Sequence, residues 1–121
     1  LAQPYVALGV NVLAAETGEL ARHLVKPRNL WVTQLYLGSR GRFISPEEVD
    51  AHSFTAAESR MYETIQQRGI TGTGPECTAR LRALGALHGS DEYILLTITY
   101  GHAERVRSYE LIAEAFELKN D

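Results

Sequence analysis

The chain has 121 residues, 45% of them apolar and 22% charged. That is one domain's worth of ordinary globular composition, which excludes collagen-like, low-complexity and disordered architectures. Twelve basic against fifteen acidic side chains give a formal charge of −3, a poor start for a general nucleic-acid coat.

No apolar run approaches the roughly 18–20 residues that span a bilayer, so no membrane contact is expected. The single cysteine, Cys77, cannot close an intrachain disulfide and points to a reducing, cytoplasmic setting. His23, His52, His88 and His102 are scattered, with no pair at zinc-ligand spacing. The opening Leu1-Ala2-Gln3-Pro4 is neither an initiator methionine nor a signal peptide, as expected of a trimmed or processed chain. Residues 1–121 read as a single globular domain.

Val6, Leu8, Val10 and Val12 alternate with Ala7, Gly9 and Asn11, which is strand periodicity. From Asn11 a helical face also fits, through Leu13, Ala14, Leu20, Ala21, Leu24 and Val25, with Pro27 to end it. The reading adopted is a strand at 5–10 and a helix at 11–26, the alternative being a hairpin turn at Glu16–Glu19. Residues 30–37, rich in β-branched and aromatic side chains, predict the clearest strand. Gly38 to Gly41 then make a turn, and Arg42-Phe43-Ile44 return as the second arm of a hairpin.

Ser45-Pro46-Glu47-Glu48 and Thr55-Ala56-Ala57-Glu58 are capping boxes, so 46–68 is one helix or a short helix leading into a longer one, stopped at Gly69. Thr71-Gly72-Thr73-Gly74 reads as a loop before a helix opened by Pro75, with Leu81, Leu84 and Leu87 inward and Gly89 at its end. Residues 92–100 predict a strand, and 103–118 a helix on Val106, Tyr109, Ile112, Ala113 and Phe116, or else a returning strand. The sum is an α+β fold: a small, mostly antiparallel sheet of three to four strands, with two to four helices packed on one face.

Two charged sets carry chemical possibilities. Glu16 with Glu19, and Glu47 with Asp50, are spaced i, i+3, which on helices puts each pair on one face. Four converging carboxylates suit Mg²⁺. The stretch Leu13-Ala14-Ala15-Glu16-Thr17-Gly18-Glu19-Leu20-Ala21 resembles the acidic helix of MazG-type nucleotide pyrophosphohydrolases, with Glu47-Glu48-Val49-Asp50 standing for the family's following Glu-x-x-Asp. Ala15 stands where that family has its first acid. The resemblance implies a helical, Mg²⁺-dependent hydrolase of nucleoside triphosphates, with Glu16, Glu19, Glu47 and Asp50 as metal ligands. The plainer alternative is a solvated helix face and acids favoured at a helix N-terminus.

The second set is basic. Arg22, Lys26, Arg28, Arg40 and Arg42 fall in a stretch without acids, interleaved with Trp31, Tyr36 and Phe43. Cations neutralise phosphates and aromatics stack on bases, so this is a candidate anion or nucleic-acid face. Two smaller features are the 71–74 loop, a possible anion cradle, and Cys77 near a helix start, where a dipole favours a thiolate. No catalytic set assembles from the sequence. The expectation is therefore a non-catalytic interaction module without a cofactor, self-associating as a homodimer and binding a protein or small-molecule partner. The phosphohydrolase and a nucleic-acid-binding regulator are the alternatives.

Overall fold

The computed structural model describes residues 7–39, 41–89 and 92–116. The elements run β1 (Ala7–Ala14), α1 (Gly18–Leu24), α2 (Lys26–Tyr36), α3 (Pro46–Asp50), α4 (Ala56–Arg68), β2 (Ile70–Gly72), α5 (Gly74–His88), β3 (Glu92–Leu96) and α6 (His102–Ala115). The sheet has the order β2-β1-β3. Both pairings are parallel: Val12 opposes Ile70 and Ala14 opposes Gly72 on one side, and Ala7 opposes Glu92 and Asn11 opposes Leu96 on the other.

The expected antiparallel sheet is therefore wrong, and so is a sheet with only two to four helices on one face. Each strand here is followed by helix, which returns the chain to start the next strand in the same direction. The expected hairpin at 30–44 is the origin of the error. Residues 30–36 belong to α2, where Asn29, Leu30 and Thr33 are buried at helical spacing. Thr33 Oγ1 donates to the Asn29 carbonyl at 2.7 Å, a back-bond that accommodates a β-branched residue in a helix. Phe43 packs edge-on against Trp31 with centroids 6.0 Å apart, so the aromatics meet without a return strand. Pro27, expected to end a helix, instead opens α2 within its first turn.

The N-terminal reading also shifts. β1 runs on to Ala14, and the helix starts only after Thr17, whose side chain accepts from Leu20 N–H. Residues 5–6 of the predicted strand lie outside the described residues. Both faces of the end of β1 are buried, which hid the alternation. Val10, Val12 and Ala14 join Ile70, Cys77, Leu81 and Ile112 in the core formed with α5 and α6. Leu13, on the opposite face, packs with Ala15, Ala21, Leu24 and Val25.

The capping boxes at Ser45/Glu48 and Thr55/Glu58 are both present and separate α3 from α4. A third, Thr73/Glu76, caps α5. It turns the predicted 71–74 loop into the end of β2 followed by a cap. Gly89, at φ 65°, ends α5 in the left-handed region, as glycine at that position predicts. Leu81 is buried there, whereas Leu87, expected inward, is 78% exposed. β3 stops at Leu96, short of the predicted 100. Residues 102–115 are helical, so the alternative strand there does not form, and 117–118 lie outside the described residues.

Because β3 ends opposite Asn11, the last part of β1 lacks a ladder partner on that side. Two buried hydroxyls replace it. Thr97 Oγ1 donates to the Val12 carbonyl at 2.7 Å, and Ser108 Oγ accepts from Ala14 N–H at 2.8 Å. The Ser108 bond ties α6 to the sheet, and both bonds satisfy backbone groups that would otherwise be buried unpaired. Among the described residues no helix is long and apolar enough to cross a membrane.

Candidate functional site

Parallel strands place all their carboxyl ends on one side of the sheet. In open sheets of this kind ligands bind just beyond those ends, a fold-level analogy that must be tested on the residues themselves. Here that side is formed by Leu13 and Ala14 of β1, Thr71 and Gly72 of β2, and the residues after Leu96 of β3. The α1–α2 junction reaches over it. Asn11, Leu13, Val25, Arg28, Thr71 and Leu96 are among the residues around a small crevice of about 10 Å³, room for at most one water, on the sheet face opposite α5 and α6.

Arg28 is the functional-looking residue of this crevice. Its Nη1 donates to Asn29 Oδ1 at 3.3 Å, but its Nε is buried and has no hydrogen-bond partner among the described residues. Burial pulls the guanidinium below its ordinary pKa, with nearby Tyr36 opposing that effect. Gly69 stands beside it: a β-carbon there would lie 3.9 Å from Nη1. An arginine donates through five N–H groups in a rigid fork, and here part of that fork is unused.

The other predicted cations have different surroundings. Lys26 Nζ donates to Asp50 Oδ1 at 2.7 Å, and Arg42 lies 3.7 Å from Glu48. Arg22 is exposed on α1 and lies in an open cleft with Glu63, Gln66 and Arg80. Arg40 lies outside the described residues. The basic stretch thus does not form one face: α3 lays its acids across part of it.

The same contacts divide the four predicted carboxylates. Glu47 Oε2 is 3.0 Å from His23 Nε2, and Asp50 pairs with Lys26. Glu47 is held below its ordinary pKa by a backbone N–H and by His23, and Asp50 by Lys26. Glu16 instead accepts from Arg107 Nε at 2.6 Å, on the far side of β1, and Glu19 is exposed on α1. Among the described residues no group of three or more His, Cys, Asp or Glu side chains is placed to hold a metal ion. The stretch Leu13–Ala21 is not one acidic helix either, since it crosses the end of β1, a turn and the start of α1.

The minor features resolve simply. Cys77 is fully buried, its thiol directed at the Leu13 carbonyl at 3.6 Å, and burial pushes its pKa up to about 11. That is the opposite of a nucleophilic thiolate. At the predicted anion cradle, Glu76 accepts from Thr73 N–H at 2.9 Å, so a carboxylate of the chain already occupies that position. Asn11 and Thr71 were not candidates in the sequence. Only the β2–β1 pairing, which sets Val12 against Ile70, brings Thr71 opposite Leu13.

No protein-family model matches the chain. Three Bacillus subtilis (strain 168) proteins are similar to it. Uncharacterized protein YvbT is 29% identical over 117 residues, which is 97% of this chain and 35% of YvbT. Uncharacterized protein YceB is 27% identical over 113 residues, 93% of this chain and 34% of YceB. Uncharacterized protein YwcH is 32% identical over 117 residues, 93% of this chain and 34% of YwcH. Among solved structures, apo-MsnO8 superposes with a TM-score of 0.77 at 22% identity, covering 98% of this chain and 36% of that one. The chain therefore spans about a third of the length of each relative it matches, and it shares its fold with a third of apo-MsnO8.

Proposed function

We propose that this chain is a non-catalytic interaction module that completes its parallel sheet by pairing with further polypeptide. The observation that carries this reading is the sheet itself. Among the described residues, β2 and β3 each have a neighbour on one side only. All-parallel sheets are found with both faces covered and rarely as three short strands. Here α5 and α6 clothe one face, while on the other Gly9 is exposed and Leu96 is 52% exposed.

Two further facts support it. The relatives are about three times as long as the stretch they share with this chain. A third of apo-MsnO8 has this fold, so the same unit occurs within a larger molecule. The occupant proposed for the open edges is accordingly additional strand from a protein of the relatives' length. In the chain alone, a second copy takes that place, which makes a self-associated dimer. The single buried cysteine fits a cytoplasmic setting for both.

Sedimentation velocity on the chain alone tests the proposal. Mass should rise with concentration toward a dimer. Leu96→Lys, which puts a charge on the open edge, should shift the species to monomer with unchanged circular dichroism. A chain that is monomeric at every concentration and indifferent to Leu96→Lys would refute edge pairing.

A further inference from the structure

We infer that the open edge of β2 takes an extended segment whose side chains alternate between apolar and acidic. This rests on the open-edge reading above and adds to it which edge is used and what chemistry that edge selects. The backbone of β2 shows its free side directly. Ala15 N–H donates to the Gly72 carbonyl at 3.1 Å, so Gly72 turns its carbonyl toward β1. Backbone groups alternate in direction along a strand, so Thr71 turns its N–H and carbonyl outward. The Gly69 carbonyl, two residues before Thr71, also points outward and accepts from Arg80 Nη2 at 3.3 Å. That bond fixes an arginine at the edge itself.

Two open clefts flank this edge, one on each face of the sheet. On the α5 face, Ile70, Ala83, Leu84 and Leu87 form an apolar groove of about 370 Å³, with Arg68 and Arg80 beside them. Leu87 stands 78% exposed there. On the α1 face lies a polar cleft of about 540 Å³, which holds Arg22, Gln66, Gln67, Thr71 and again Arg80. Unpaired arginines are common on protein surfaces; what sets these three apart is that they converge on one strand edge. Among the described residues, Glu63 is the only acid that lines either cleft. Arg22 also interacts with Glu76, but that carboxylate already accepts from Thr73 N–H at 2.9 Å. The edge is thus locally positive in a chain whose formal charge is −3. Successive side chains of a strand point to opposite faces. An incoming strand lays one set on Leu84 and Leu87 and the other beside Arg22, which is why apolar and acidic residues should alternate in it. Within β2 only Thr71 offers a free backbone pair, so side chains decide the selectivity.

The test uses the full chain, at a concentration where it sediments as a monomer, and three short capped peptides. One alternates Val and Asp, one alternates Val and Lys, and one has the Val/Asp composition in two blocks. Binding is read from the anisotropy of the labelled peptide and from the backbone amide shift of Thr71. The expected result is saturable binding of the alternating Val/Asp peptide, with the Thr71 amide moving, roughly tenfold tighter than either of the others. Arg22→Gln and Arg68→Gln, both at exposed positions, should each weaken it by roughly twofold to fivefold with unchanged circular dichroism. Equal binding of the Val/Asp and Val/Lys peptides at Thr71 would overturn the inference while leaving edge pairing intact. Binding of no peptide would also overturn it, and the sedimentation test on Leu96→Lys would then judge edge pairing by itself. If either arginine variant fails to fold, the comparison of the three peptides on the unaltered chain decides.

Discussion

Ser108 is a hydroxyl whose value lies in what it replaces. Ala14 N–H, at the end of β1, has Ser108 Oγ as its partner at 2.8 Å because β3 has already ended. Ser108→Ala would leave that amide buried and unpaired, at a cost of about 1–3 kcal/mol in urea unfolding. Ser108→Thr, which keeps the hydroxyl, should recover part of the loss. Cys77 gives a pH prediction with a definite sign. Its pKa of about 11 lies above the ordinary 9.0, so the folded state binds its proton more tightly than the unfolded state does. Its contribution to stability is full below pH 9.0 and is lost as the pH rises toward 11. At neutral pH a thiol reagent should label Cys77 only at the rate of unfolding; fast labelling of native protein would contradict its burial. At this scale the sequence was legible where the chemistry is local. Ser45/Glu48 and Thr55/Glu58 are read correctly because a capping box spans four residues. The orphaned Arg28 Nε was not legible, because it depends on strands far away in sequence.

Among the elements, α2 shows why propensity misled. Trp31, Val32 and Thr33 favour strand one by one, but the burial of Asn29, Leu30 and Thr33 at helical spacing overrides them. The α5–α6 contact offers a sharp test. A β-carbon on Gly74 would come within 2.6 Å of the Leu111 carbonyl oxygen, a backbone atom. Gly74→Ala should therefore push α6 from α5 and cost about 1–3 kcal/mol, measured as a fall in thermal midpoint. Gly9→Ala, with nothing within 4 Å, is the tolerated control. The start of α4 tests the acid side. Glu58 accepts from Thr55 N–H at 2.9 Å and sits 3.2 Å from His52 Nε2. The Thr55 backbone bond, then His52 and Gln34, hold its carboxyl below the ordinary 4.5. A depressed carboxyl supplies stability that is present above pH 4.5 and lost as the pH falls below it. Glu58→Gln keeps the cap's geometry without the charge, so its stability should decline less steeply over that acid range than the wild type's.

For the whole molecule, the mixture of helix and strand was legible, but strand direction was not. Alternation and turn residues locate elements, whereas β1 pairs with strands that begin more than fifty residues later. The charged residues were legible as residues, but their partners were not, for the same reason. Glu47 and Asp50, read as candidate metal ligands, lie against His23 and Lys26, which α3 brings to them. What remains, among the described residues, is a parallel sheet whose β2 and β3 each have one neighbour, and a match to about a third of longer relatives. The most direct test is amide hydrogen exchange at β2 and β3, in the chain alone and within a polypeptide of the relatives' length. If the edges are completed by further strands, their outward amides exchange fast in a dilute monomer and become protected in the longer protein. Equal, rapid exchange in both would show that the edges stay free, and would contradict the account.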